Sequence, residues 1–188
     1  MATPAYLGKP YTGQPQAIPG TIKAVHYDRG GEGVAYHDFD KSNPGSGGLN
    51  KGDTPNDKFR IEECVGISYT KPDLDKWMDG DAPLPIGDLY MGWTAPGEWV
   101  NYSVHVARAG KYKIKAQVSS ALQDAQIRFW FDGADNTGII TVPTTTHWHT
   151  WKVLELGTVD LHAGPQVMRL EFVKEGNMNV MWLEFTPV

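Results

Sequence analysis

Residues 100–118 read Val-Asn-Tyr-Ser-Val-His-Val-Ala-Arg-Ala-Gly-Lys-Tyr-Lys-Ile-Lys-Ala-Gln-Val. Val100, Tyr102, Val104 and Val106 alternate with Asn101, Ser103 and His105, and beyond Ala109-Gly110 the apolar Tyr112, Ile114, Ala116 and Val118 alternate with Lys113, Lys115 and Gln117. Successive side chains of a strand point to opposite faces, so this period predicts a hairpin with one apolar and one wet face. Working outward, short apolar runs recur at 126–131, 139–142, 151–156, 166–173 and 180–185. Asp132-Gly133, a threonine-rich stretch, Ala163-Gly164-Pro165 and Glu175-Gly176-Asn177 separate them. Strands at that spacing predict a β-sandwich. No segment keeps a helical period over 11 residues, and no internal repeat is present.

The chain has 188 residues, of which 40% are hydrophobic and 21% charged, with 21 glycines and 13 prolines. That length fits one buried core, and the turn-rich composition suits an all-β domain. A formal charge of -5 without a basic stripe argues against nucleic acid as a partner. No stretch approaches the roughly 20 apolar residues that cross a bilayer, which argues against a membrane partner. Cys64 is the single cysteine, so no internal disulfide forms. Residues 1–17 are rich in proline and lack the apolar run of a secretion signal, and read as a linker or a tail left where a longer protein was cut.

The first half is written differently. Residues 39–89 carry proline- and glycine-rich stretches at 42–48, 53–57 and 81–85 around one strand-like run, Phe59 to Val65. Trp77, Met78, Leu84, Leu89 and Tyr90 make this insertion too apolar for a disordered excursion, so a loop-rich lobe packed on the sandwich is expected, with Trp77 and Tyr90 holding it down. Asp73, Asp75, Asp79 and Asp81 surround Gly80, but Trp77 and Ile86 stand where a calcium loop needs oxygen ligands, which favours a solvated acidic turn. His147 and His149 lack a third zinc ligand in the sequence pattern.

Trp148 lies in Pro143-Thr-Thr-Thr-His-Trp-His-Thr-Trp151, a turn-like stretch without hydrophobic company. Either the indole folds back over the core or a flat, partly apolar ligand covers it: a sugar ring, a nucleobase or a protein partner.

Three segments together resemble the carbohydrate-binding modules of family 6. They are Ile18 to Asp38, the stretch Tyr90-Met-Gly-Trp-Thr-Ala-Pro-Gly-Glu-Trp-Val-Asn-Tyr102, and the pair formed by Thr144 to Trp151 with Asn177 to Phe185. The resemblance covers residues 18–188, interrupted by the 39–89 insertion, and implies a β-sandwich of jelly-roll type that binds polysaccharide and performs no chemistry. It implies Trp93 and Trp148 as facing aromatic platforms at the loop end of the sandwich, Asn179 as the amide reaching sugar hydroxyls, and His37 as a polar group from the first loop. Trp99, Tyr102, Trp151 and Trp182 fall on core positions of the family. The family's structural calcium positions read Lys23, Val25 and Met181, an ammonium, an isopropyl group and a thioether, so no metal is expected there; calcium at another site stays open. A plant, algal or microbial glycan as ligand, an extracellular or cell-surface setting and a tethered glycoside hydrolase are further implications. Two other readings compete: a protein-binding or adhesive sandwich using Trp93 and Trp148 as hot spots, and a small glycosidase drawing its acids from Glu62, Glu63, Glu98 or Asp88.

Overall fold

The computed structural model describes residues 6–46, 50, 54–78, 85–174 and 178–188. Leu84 and the Asp79-Gly80-Asp81 part of the acidic turn lie outside these residues. The described strands are β1 (Gln16–Ile18), β2 (Gly20–Lys23), β3 (Tyr36–His37), β4 (Ile67–Tyr69), β5 (Lys76–Trp77), β6 (Leu89–Met91), β7 (Trp99–Val106), β8 (Gly110–Ser119), β9 (Ala125–Phe131), β10 (Ala134–Asp135), β11 (Ile140–Val142), β12 (Thr150–Leu161), β13 (Gly164–Lys174) and β14 (Asn179–Pro187). They form two seven-stranded sheets. One runs β1-β7-β13-β9-β10, with β3 on β7 and β11 on β9; the other runs β4-β6-β14-β8-β12-β5, with β2 on β14. The all-β sandwich expected from the period-two runs is the architecture found.

The pairing of the deciding stretch differs from expectation. All the alternating apolar residues of β7 and β8 enter the common core, yet β7 bonds β1, β3 and β13 while β8 bonds β12 and β14. Ala107 to Ala109 is therefore an arch from one sheet to the other, not a hairpin turn. Alternation reports which face a residue takes, and both strands face the same core from opposite sides. The run Phe59 to Val65 is a series of turns in which Arg60 has φ 51°, and β4 begins only at Ile67.

A second apolar cluster lies outside the sandwich: Tyr90, Trp151 and Met181, with Trp77 and Trp182 packed against them. Lys152 pairs with the inward Val118, which turns Trp151 outward; the lobe covers it completely. In β14 a bulge separates Val180, opposite Val118, from Trp182, opposite Gln117. Without the bulge Trp182 would share the face of Val180; with it, Trp182 points away from the core. Trp99 pairs with Glu171 on the outer face of the other sheet, where the Arg169 guanidinium stacks 3.7 Å from its ring centroid. Of the four family core positions, only Tyr102 belongs to the main core.

Arg60 ties the lobe to the start of the chain. Its guanidinium donates to the carbonyls of Tyr27 (2.6 Å), Asp28 (2.8 Å) and Val25 (3.4 Å), binds Glu63 through Nε (2.8 Å) and Nη2 (3.1 Å), and lies 3.4 Å from the Tyr27 ring centroid. Residues 6–17, expected as a tail, are docked where they are described: Gln16 and Ala17 pair with β7 as part of β1, Tyr6 donates to Asp28, and Tyr11 stacks on His26.

Candidate functional site

At the loop end of the sandwich a cleft of about 440 Å³ is lined by Asn50, Ser68, Lys71, Leu74, Tyr90, Trp93, Trp148, His149 and Asn179. Three of the four expected residues, Trp93, Trp148 and Asn179, meet here. His37 does not: it sits on β3 in the opposite sheet, its Nδ1 2.5 Å from Glu32 Oε1, against Phe39 and Trp99. The charged partner Glu32 and the early pairing of β3 hold it there.

Trp93 follows β6 in a left-handed conformation, φ 56°, uncommon for a bulky residue. Two glycines of the lobe make room for its ring. A Cβ on Gly66 would lie 3.1 Å from Trp93 Cβ and Cε3, and one on Gly45 would lie 3.0 Å from Cζ3 and 1.9 Å from the Ile67 carbonyl. Asn43 fixes this approach, its Oδ1 accepting from the backbone N–H groups of Gly45, Ser46 and Ile67.

Trp148 is held by its backbone while the residue stays 39% exposed. Ser119 Oγ (2.5 Å) and Asn179 Nδ2 (2.6 Å) both donate to the Trp148 carbonyl. Thr144 and Thr145 donate to the Ser120 carbonyl and anchor the loop's near side. The two indoles line the same cleft without stacking on one another, and neither belongs to an apolar cluster.

The resemblance implied Asn179 as the amide that reaches sugar hydroxyls, and an amide can both donate and accept. Its amide nitrogen is already engaged by the Trp148 carbonyl and, at 3.1 Å, by Ser119 Oγ. Oδ1 is the half left to accept from a ligand. It projects over Gly92, where a Cβ would stand 2.2 Å away. Gly92→Ala therefore displaces this oxygen, and glycan affinity is expected to fall about fivefold or more, the worth of one hydrogen bond. Calorimetric titration checks it; unchanged affinity would remove Asn179 from the site.

The lobe of residues 39–89, expected to wall this end of the sandwich, supplies the remaining wall through side chains that no sequence signal had marked. Asp75 organises it: Oδ2 accepts the Lys71 backbone N–H (2.7 Å), and Oδ1 accepts the Trp151 indole N–H (2.6 Å) and faces His149 Nδ1 (3.1 Å). Lys71 Nζ donates to Ser68 Oγ (3.1 Å) and the Tyr69 carbonyl (3.3 Å). Desolvation by the cleft walls pushes the Lys71 pKa down, offset in part by Asp75 and Asp57. Among the described residues no carboxylate lines the cleft. Of the acids considered for catalysis, Glu63 is bound by Arg60 and by the Tyr27 hydroxyl, and Glu98 accepts the backbone N–H groups of Phe39 and Ala95.

The family's calcium positions do not fit a metal. Val25 is in the main core, Met181 in the outer cluster, and Lys23 ends β2. Among the described residues no group of three or more His, Cys, Asp or Glu is arranged to hold an ion. A larger cavity, about 560 Å³, lies over the outer face of the β7-β13-β9 sheet, lined by residues including Tyr6, Asn101, Trp130 and Arg169. Polar groups of its lining are internally satisfied: the Trp130 indole N–H donates to Glu171, Arg169 Nε to Asn101 and the Tyr6 hydroxyl to Asp28.

Beside His37, burial raises the Asp38 carboxyl to about 7 with added repulsion from Glu98, Asp40 and Glu32, and burial raises Glu98 as well. A carboxyl whose folded pKa exceeds its unfolded value makes the fold most stable below the unfolded pKa of about 4, with stability lost as pH rises to about 7 and constant above. The urea midpoint is expected to fall across that window, and Asp38→Asn to flatten the slope; an unchanged slope would show that Asp38 is not responsible.

The model of the family described as "Carbohydrate binding module (family 6)" matches residues 70–187. No curated protein matches the sequence. Among solved structures, a β-1,3-glucan-binding family 6 module of Bacillus halodurans is 22% identical with a TM-score of 0.59, covering 92% of this chain and 98% of its own. A module of Cellvibrio mixtus lichenase 5A, solved with cellotriose, is 22% identical with a TM-score of 0.54, covering 66% and 87%. A family 43 arabinoxylan arabinofuranohydrolase of Bacillus subtilis, solved with cellotetraose, is 15% identical with a TM-score of 0.58; the match covers 93% of this chain and 28% of that enzyme.

Proposed function

Because the chain belongs to the family 6 carbohydrate-binding modules, we propose that it is a non-catalytic module that grips a glycan in the cleft between Trp93 and Trp148. The half-exposed Trp148 ring, on a loop whose backbone is fixed and whose side chain has no apolar partner cluster, carries this reading. A pyranose has apolar C–H faces and a rim of hydroxyls, so indole planes suit its faces while Asn179 Oδ1, Ser68 and Asn50 suit its rim. Each indole buries about 80 Å² against such a ring, and two of them contribute about 4 kcal/mol at ~25 cal/mol/Å² before ordering costs. That corresponds to roughly millimolar binding, with hydrogen bonds bringing it toward tens of micromolar.

A binder this weak gains from a tether, because linkage to a second domain raises the effective ligand concentration. The likeness to one part of a longer Bacillus subtilis hydrolase supports a glycoside hydrolase as the tethered partner, working on extracellular plant, algal or microbial polysaccharide. A glycan array read together with a reducing-sugar assay tests the reading. Binding without product is expected; product would favour a hydrolase, and silence in both would favour protein recognition through the same two indoles.

A further inference from the structure

We propose that the cleft selects a pyranose bearing an anionic substituent, and that Lys71 is the residue that reads the charge; this rests on the cleft being the glycan site. The chain carries a net charge of -5, yet the described residues of the cleft lining include a lysine and a histidine and no carboxylate. The lysine's own acidic neighbours are occupied elsewhere. Asp75 spends both oxygens on the Lys71 backbone N–H, the Trp151 indole and His149. Asp57 is buried and accepts from the Thr54 backbone, the Thr54 hydroxyl and the Tyr69 hydroxyl.

The Lys71 ammonium is left with two neutral acceptors, Ser68 Oγ and the Tyr69 carbonyl, and the face of the Tyr69 ring 4.2 Å away. An ammonium has three donors, so one N–H is uncommitted, and no carboxylate among the described residues neutralises the charge within ion-pair distance. A partly desolvated cation at the wall of a binding cleft is completed by a ligand anion. The geometry of a ring held by its faces suits this: an equatorial carboxylate or sulfate ester projects from the rim, in the direction of wall groups rather than of the indoles. Carboxylate and sulfate share this chemistry, and the experiment separates them.

Titration calorimetry compares trigalacturonate with its methyl ester, a glucuronate-decorated xylo-oligosaccharide with the undecorated one, and a sulfated galactan tetrasaccharide with its desulfated form. At least one charged ligand is expected to bind about tenfold tighter than its uncharged counterpart, as a charge-assisted hydrogen bond implies. The preference shrinks between 20 and 500 mM salt, on the order expected for a partly exposed pair. The uronate and sulfate arms identify which anion is read. Lys71→Met brings the charged-to-uncharged ratio down to about one, and Lys71→Arg, which keeps the charge, preserves it in part; melting curves confirm that both variants fold. Equal affinity for charged and uncharged sugars, or a preference that survives Lys71→Met, overturns the proposal while leaving glycan binding intact. Absence of binding to every sugar overturns the proposed function and this inference with it.

Discussion

Replacing Arg60 with methionine is expected to cost about 3–5 kcal/mol of folding stability, the range for breaking a buried ion pair by removing one partner. The side chain is 4% exposed, and although Glu63 keeps 20% exposure, the carbonyls of the fully buried Tyr27 and Asp28 would be cut off from water. Glu63 would keep the Tyr27 hydroxyl but lose its counter-charge, and the carbonyls of Tyr27 and Asp28 would lose their donor. Methionine fills most of the volume without any donor, so the loss isolates the polar contacts from a cavity effect. Chemical denaturation measures it. A loss under about 1 kcal/mol would show that the guanidinium is not what joins the lobe to the first strands.

Truncating Trp148 to alanine is expected to do the opposite: lose binding and keep the fold. The apolar contact removed is about 2 kcal/mol, a factor near 30, which takes a weak binder below detection. The melting temperature should scarcely move, because the bonds that fix the loop end on the Trp148 carbonyl, which alanine also has. Trp93→Ala should match it in binding. Trp151→Ala should instead destabilise by about 3–5 kcal/mol, since that ring is fully buried and its N–H bonds Asp75. If Trp148→Ala unfolds the domain while a glycan still binds, the ring is a packing residue and the cleft is misassigned.

The alternation of β7 and β8 gave the right faces and the wrong partners. A three-residue link suits a hairpin or an arch, and only the rest of the sandwich decides which. Trp182 shows the same limit: one bulged residue reverses the face of everything after it, and nothing in Val180-Met181-Trp182 announces the bulge. Trp93, Trp148 and Asn179 were legible as one site only through the family resemblance, and they meet because they sit at the ends of β6, β12 and β14 at one end of the fold. His37 was carried along with the first loop, but its pairing on β3 and its hydrogen bond with Glu32 keep it on the other sheet. Lys71, Leu74 and Asn50 had no local signal, since their place in the cleft depends on how Asp75 and Asn43 fold the lobe back.

The lobe also guards a sheet edge. β12 is bonded along one side by β8, and on its other side Lys76 and Trp77 of β5 pair with Thr150 and Trp151. An open edge is a template on which a second chain can add a strand, and the apolar end of β12 at Trp151 is where such an addition would be most favourable. Further along, the exposed Glu155 and Asp160 and the irregularity at Glu155/Gly157 discourage it without a covering strand. The segment that walls the cleft is thus also the segment that covers the Trp151 end of this edge. Shortening the lobe to widen the cleft for a bulkier glycan would expose the Trp151 edge and turn a change of specificity into self-association.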